Sequence, residues 1–139
     1  MDIDVLRFLR SFGVRSVAAV RKWLGAGAQG PGADPPSPAA RALGWIRANC
    51  LTAGGVRVHS RHRQGYPEVT GYLVPTLVDR GEFALAEELL RWLIAIQRPD
   101  GAYTDPDRST PCIFDTGQVL RGLLAGSGRV PEAQEAARH

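Results

Sequence analysis

The chain has 139 residues, a formal net charge of +3 and 44% hydrophobic residues, enough for one modest soluble domain. The arginines are spread along the chain and no nucleic-acid-binding motif accompanies them, so no nucleic-acid partner is expected. Two cysteines make no disulfide framework, no run reaches membrane-span length, and a cytoplasmic location is the default expectation.

Residues 3–24 carry apolar side chains at helical steps, among them Leu6, Leu9, Val17 and Leu24, and basic ones at Arg7, Arg10, Arg15, Arg21 and Lys22. The arginines argue against a cleavable signal peptide. The segment 1–24 reads as a basic amphipathic helix packed on the rest of the chain. Contact with an anionic membrane surface is the less favoured reading. Residues 25–38 are a Gly, Ala, Pro and Ser linker. Helices are expected at 38–50, 67–80, 83–97 and 115–125, and a further one opens at 131–139. Pro67 suits a first turn, Pro75 should kink its helix, and Arg80-Gly81 should end it. No strand is expected; Ala102-Tyr103-Thr104 is at most a short extended piece.

The elements recur at a spacing of 47 residues. Trp45 falls on Trp92, Gly54 on Gly101, and Glu68 on Asp115. A further step brings Ala86 to Ala133, and His139 to the place of a third tryptophan. Residues 39–139 thus read as two helical hairpins and the opening of a third. Stacked repeats bury their faces against neighbours, so the chain is expected to be the N-terminal part of a larger protein. The loops inside each hairpin are long, roughly 16 to 18 residues, which is uncommon unless they carry function.

The run Trp92-Leu93-Ile94-Ala95-Ile96-Gln97-Arg98-Pro99-Asp100-Gly101-Ala102-Tyr103 resembles the W-L-x-x-x-Q-x-x-D-G-x-aromatic signature of α/α-toroid proteins. These include six-hairpin glycosidase-like enzymes and terpenoid cyclases. Gly65-Tyr66-Pro67-Glu68-Val69-Thr70-Gly71-Tyr72 and Phe114-Asp115-Thr116-Gly117-Gln118-Val119-Leu120 are similar to motifs of toroid proteins linked to bacterial polysaccharide biosynthesis. The resemblance covers residues 38–139. It implies an all-α fold, part of an (α/α) toroid preceded by a separate N-terminal helix, with 67–80 and 115–125 as inner helices. The first hairpin departs from the signature, with Cys50 in the place of Gln97 and Ala53 in the place of Asp100.

In such a ring Glu68 and Asp115 would face the mouth from adjacent inner helices. Paired carboxylates there suit acid–base catalysis on a sugar. A helix N-terminus favours the ionised carboxylate, so a base or nucleophile is the more natural role. The plain alternative is capping, with Asp115 and Gln118 as a capping box. The loop containing His59, Arg61, Arg63 and Tyr66 suits an anionic ligand such as a uronic acid or phosphate, or is simply a solvated basic loop. Tyr66 and Tyr103 could stack on a sugar face, and Gln118 could bind substrate beside them. His59 and His62 lack a zinc-like ligand set, so no metal is expected. Asp100 should fix its turn. No phosphate loop, dinucleotide fingerprint or serine elbow occurs, and no cofactor is expected.

Three functions compete. The first is a carbohydrate-active toroid with an anionic sugar as partner, whose isolated segment here is expected to be inactive. The second is a non-catalytic helical-repeat interaction module or a truncated relic, self-associating through an exposed face at 129–139. The third, a terpenoid-cyclase-like toroid, needs an acidic cluster and an aromatic-lined cavity, and only 7% of residues are aromatic.

Overall fold

A computed structural model of the chain describes residues 35–139. The expected helix at 3–24 and the linker up to residue 34 lie outside the described residues. The chain divides into two compact units, Met1–Ala48 and Asn49–His139. More than half of the described residues are helical, and among them no helix is long and apolar enough to cross a membrane.

Helix α1 spans Pro38–Asn49. Ser37 caps it, its Oγ accepting the Ala40 N–H at 3.2 Å. Trp45 is 49% exposed. The second unit contains α2 (Pro67–Asp79), α3 (Phe83–Ile96), a two-residue antiparallel hairpin β1 (Thr104–Asp105) and β2 (Thr110–Pro111), α4 (Ile113–Gly126) and α5 (Pro131–Ala136). The hairpin corrects the expectation of no strand. Asp105 makes it by turning the chain: its Oδ1 accepts the Asp107 N–H at 2.8 Å. Helix α4 starts two residues earlier than the apolar spacing suggested.

The core of this unit is built from Val74 and Leu77 of α2, Leu89, Leu90 and Leu93 of α3, and Val119 and Leu123 of α4, all at most 1% exposed. Burying seven such side chains supplies the main driving force for closing the three helices on one another. Helices α2 and α4 make the closest approach. A Cβ built on Gly71 would lie 2.6 Å from Val119 Cα, and one on Gly122 would lie 2.5 Å from the Gly71 oxygen. Only glycine permits that separation. Pro75 stands inside α2 and cannot donate to the carbonyl four residues back, which is that of Gly71. This freed oxygen rests against Gly122, where a Cα–H contact offsets part of the loss. The helix continues past Pro75 to Asp79.

The two loops share one hydrogen-bond plan. Leu51 N–H donates to Gly55 O at 3.0 Å and Arg98 N–H to Ala102 O at 3.1 Å. Gly54 and Gly101 take φ of +99° and +79°, the left-handed region that suits glycine. Tyr66 N–H donates to Val56 O, and Cys112 N–H to Tyr103 O, each at 3.0 Å. Val56 N–H then donates to Thr70 Oγ1 at 2.9 Å, and Tyr103 N–H to Thr116 Oγ1 at 3.0 Å. The spacing is 47 residues up to Val56 and Tyr103, but 46 from Thr70 to Thr116. The second loop is one residue shorter. Asp115 therefore corresponds to Val69, and Glu68 to Phe114, which corrects the ungapped match of the two acids.

Trp45 is exposed and Trp92 half-buried. The Trp92 indole covers the glycines of the first loop: a Cβ on Gly65 would lie 3.0 Å from it, and one on Gly55 2.5 Å. The positions 47 residues before that glycine platform fall outside the described residues.

Candidate functional site

The loops ending at Tyr66 and Cys112 deliver the chain to the N-termini of α2 and α4. Gln64 Nε2 donates to Pro106 O at 3.2 Å and ties one loop to the other. Glu68 is the second residue of α2 and Asp115 the third of α4. The Gly71–Val119 approach sets the two helices side by side, and the Asp115 charge acts on Glu68. Both acids are thus at the same end of the helix pair.

Neither acid is a cap. Tyr66 and Cys112 occupy the cap positions, and neither makes a side-chain cap bond. The expected capping box of Asp115 and Gln118 does not form. The Thr116 hydroxyl, which donates to Cys112 O at 2.8 Å, fixes an earlier helix start and carries Asp115 inside the first turn. Gln118 Oε1 instead accepts from Arg121 at 3.0 Å. Asp115 is buried, at 7% exposure. Burial raises the Glu68 pKa above the usual glutamate value, and the charges of Asp115 and Asp105 raise it further. Glu68 therefore holds its proton more readily than an exposed glutamate does.

Tyr66 and Tyr103 are 7% and 1% exposed, so neither offers a ring face to a sugar; both pack inside. The Tyr66 ring stacks on His62, centroids 5.0 Å apart, and His62 lies 3.8 Å from His59. Burial, followed by Asp107 and Asp105, pushes the Tyr66 hydroxyl up to about 12. Burial also raises Tyr103, whose hydroxyl has no hydrogen bond. His59, Arg61 and Arg63 are exposed, as a ligand-contacting or solvated loop requires. His59 Nδ1 accepts the Arg61 N–H at 3.1 Å. Arg57 is turned to Asn49 Oδ1 at 2.8 Å. Asp100 holds its turn as expected, accepting from Arg98 at 3.0 Å and from Ala102 N–H at 3.3 Å.

Compared with known family models, curated proteins and solved structures, the chain finds no match in any of the three. Its own geometry carries the reading.

Sequence reasoning missed Asp105 and Asp107, which bring two more carboxylates to this end of the helices. The Asp-Pro-Asp turn was their signal. It also missed Thr70 and Thr116, although each is followed by glycine, Gly71 and Gly117. A cavity of about 460 Å³ lies elsewhere, along α4, lined by Gln97, Tyr103, Ile113, Gly117 and Leu120 among others and not by Glu68 or Asp115. Among the described residues no group of three His, Cys, Asp or Glu is set to hold a metal ion. Cys50 and Cys112 form no disulfide. In 129–139 the apolar Val130, Ala133 and Ala136 are buried, while Arg129, Glu132, Gln134 and Glu135 are exposed. The exposed apolar residues of the hairpins include Ile113, Phe114, Leu120 and Leu124 of α4.

Proposed function

We propose that these hairpins belong to a carbohydrate-active α/α-toroid protein of the polysaccharide-linked type, with Glu68 and Asp115 as its acid pair. The observation that supports the reading is the placement of two carboxylates at one end of adjacent helices, in unequal surroundings. Groups so separated divide acid and base roles. Glu68, with its raised pKa, gives a proton to the leaving glycosidic oxygen. Asp115, buried beside it, is the partner carboxylate whose charge holds the Glu68 proton in place. His59, Arg61 and Arg63 are exposed on the loop that leads into α2 and favour an anionic sugar such as a uronate.

The test is calorimetric titration of the chain with oligouronates and with neutral oligosaccharides of equal length, followed by turnover assays on whichever binds. Arg61→Ala with Arg63→Ala should weaken oligouronate binding roughly tenfold, the scale of one lost charge-assisted contact. Glu68→Gln should leave binding in place and abolish any turnover. Binding of neither sugar class sinks the reading.

A non-catalytic interaction role is the second reading, favoured by the exposed apolar side chains of α4.

A further inference from the structure

We propose that the outer face of α4 docks a second copy of this chain, which receives it on the open side of its own α2. The argument is one of register. The face of α2 that carries Gly71 also carries Pro67, Val74 and Val78, at helical steps of four, three and four. Gly71 of that face lies against the α4 backbone at Gln118 and Val119, and Gly122 lies against Gly71.

Moving 46 residues along the chain turns this set into Ile113, Gly117, Leu120 and Leu124 of α4. There the same face is open. Ile113 is 94% exposed, Leu120 39% and Leu124 56%. A Cβ on Gly117 meets nothing within 4 Å, whereas one on Gly71 meets backbone at 2.6 Å. Helix α4 thus presents, uncovered, a copy of the surface with which α2 grips it.

The surface being gripped has a copy too. Gln118, Val119 and Gly122 of α4 map back onto Tyr72, Leu73 and Thr76 of α2. Tyr72 is 42% exposed and Thr76 is exposed. One chain therefore carries the two halves of its own α2–α4 contact, on opposite sides of the helix pair. Docking α4 of one copy on α2 of the next continues an interface already made inside the chain. It also covers the cavity along α4, which Ile113, Gly117 and Leu120 line. The contact joins unlike surfaces, so the product is a row that closes into a ring or grows. One position departs from the pattern: Thr76 stands where Gly122 does, and its side chain holds the incoming helix further out.

Sedimentation velocity of the full chain, from micromolar to hundreds of micromolar, tests this. The weight-average mass should climb with concentration past that of a dimer. Gly117→Leu adds a side chain in open space, so circular dichroism should show an intact fold while association weakens at least roughly tenfold. Leu120→Glu serves as a second disruption. Thr76→Ala, which trims the receiving side, should tighten association several-fold, and Tyr72→Glu should weaken it. A monomer at every concentration overturns the proposal. So does association that responds to Gly117→Leu but not to Thr76→Ala or Tyr72→Glu, because that pattern means α4 pairs with α4.

Discussion

His139 rests on Gly101 much as Trp92 rests on Gly54, and each pair is 38 residues apart in the chain. A Cβ on Gly101 would lie 3.4 Å from His139 Cβ and closer still to its main chain, while one on Gly54 would strike the Trp92 indole. The two contacts differ in what must yield. Gly54→Ala meets a fixed ring on top of a left-handed backbone and should cost about 3 kcal/mol. Gly101→Ala meets the main chain of His139, which no side-chain rotation relieves, on a left-handed backbone as well, and should cost as much, about 3 kcal/mol. Urea unfolding of the two variants reads both costs, and a loss below about 1 kcal/mol in either contradicts the prediction.

The glycines of α2 and α4 should answer oppositely to one extra methyl. Gly71→Ala forces α2 away from Val119 and should destabilise by about 3 kcal/mol, at the upper end of ordinary overpacking. Gly117→Ala enters open space and should stabilise by about 1 kcal/mol, the helix-propensity difference. Thermal melts at low protein concentration read both.

Removing the threonine hydroxyls should unpick the loops without disturbing side-chain volume. Thr70→Val leaves the Val56 N–H, itself fully buried, without an acceptor. The expected loss is about 1–3 kcal/mol. Thr116→Val does the same to Tyr103 N–H in a less buried place, and should cost about 1 kcal/mol. Hydrogen exchange at those two amides should quicken in the matching variant alone.

Glu68 should make stability fall as pH rises. Its folded pKa is raised, so the folded state binds more protons than the unfolded one between the ordinary glutamate value and the raised one. Stability is therefore unpenalised below that window, declines through it, and is flat above. Glu68→Gln should remove the decline and leave the variant more stable than the parent at neutral pH. Melting curves across the acid range that are parallel for the two proteins contradict this.

Helices α1, α3 and α5, the turns and the positive-φ glycines were legible because Trp45 and Trp92, Gly54 and Gly101, and Ala86 and Ala133 all keep the spacing of 47. Helices α2 and α4 were legible as helices but not in register. A single residue lost between Tyr103 and Thr116 moves every position of α4 by about 100° around the helix axis relative to α2. The ungapped comparison preferred the match of Glu68 with Asp115, since acids are common in first turns. The dipeptides Thr70-Gly71 and Thr116-Gly117 held the true register. A buried threonine acting on a distant loop amide leaves no local pattern, so neither dipeptide stood out. The burial of Tyr66 and Tyr103 was equally hidden: a tyrosine beside polar neighbours reads as surface until its loop is seen folded inward.

The Thr70 and Thr116 stitches have one consequence for engineering. Each clamps its loop at Val56 or Tyr103, so the stretch between that clamp and the next helix is held at both ends by bonds it does not itself supply. The exposed residues of such a stretch can be rewritten so long as those that pack, Gly65 against Trp92 and Tyr66 in the interior, are kept. Chemistry could then be varied at the rim as freely as in an antibody loop, on a frame that does not have to be redesigned each time.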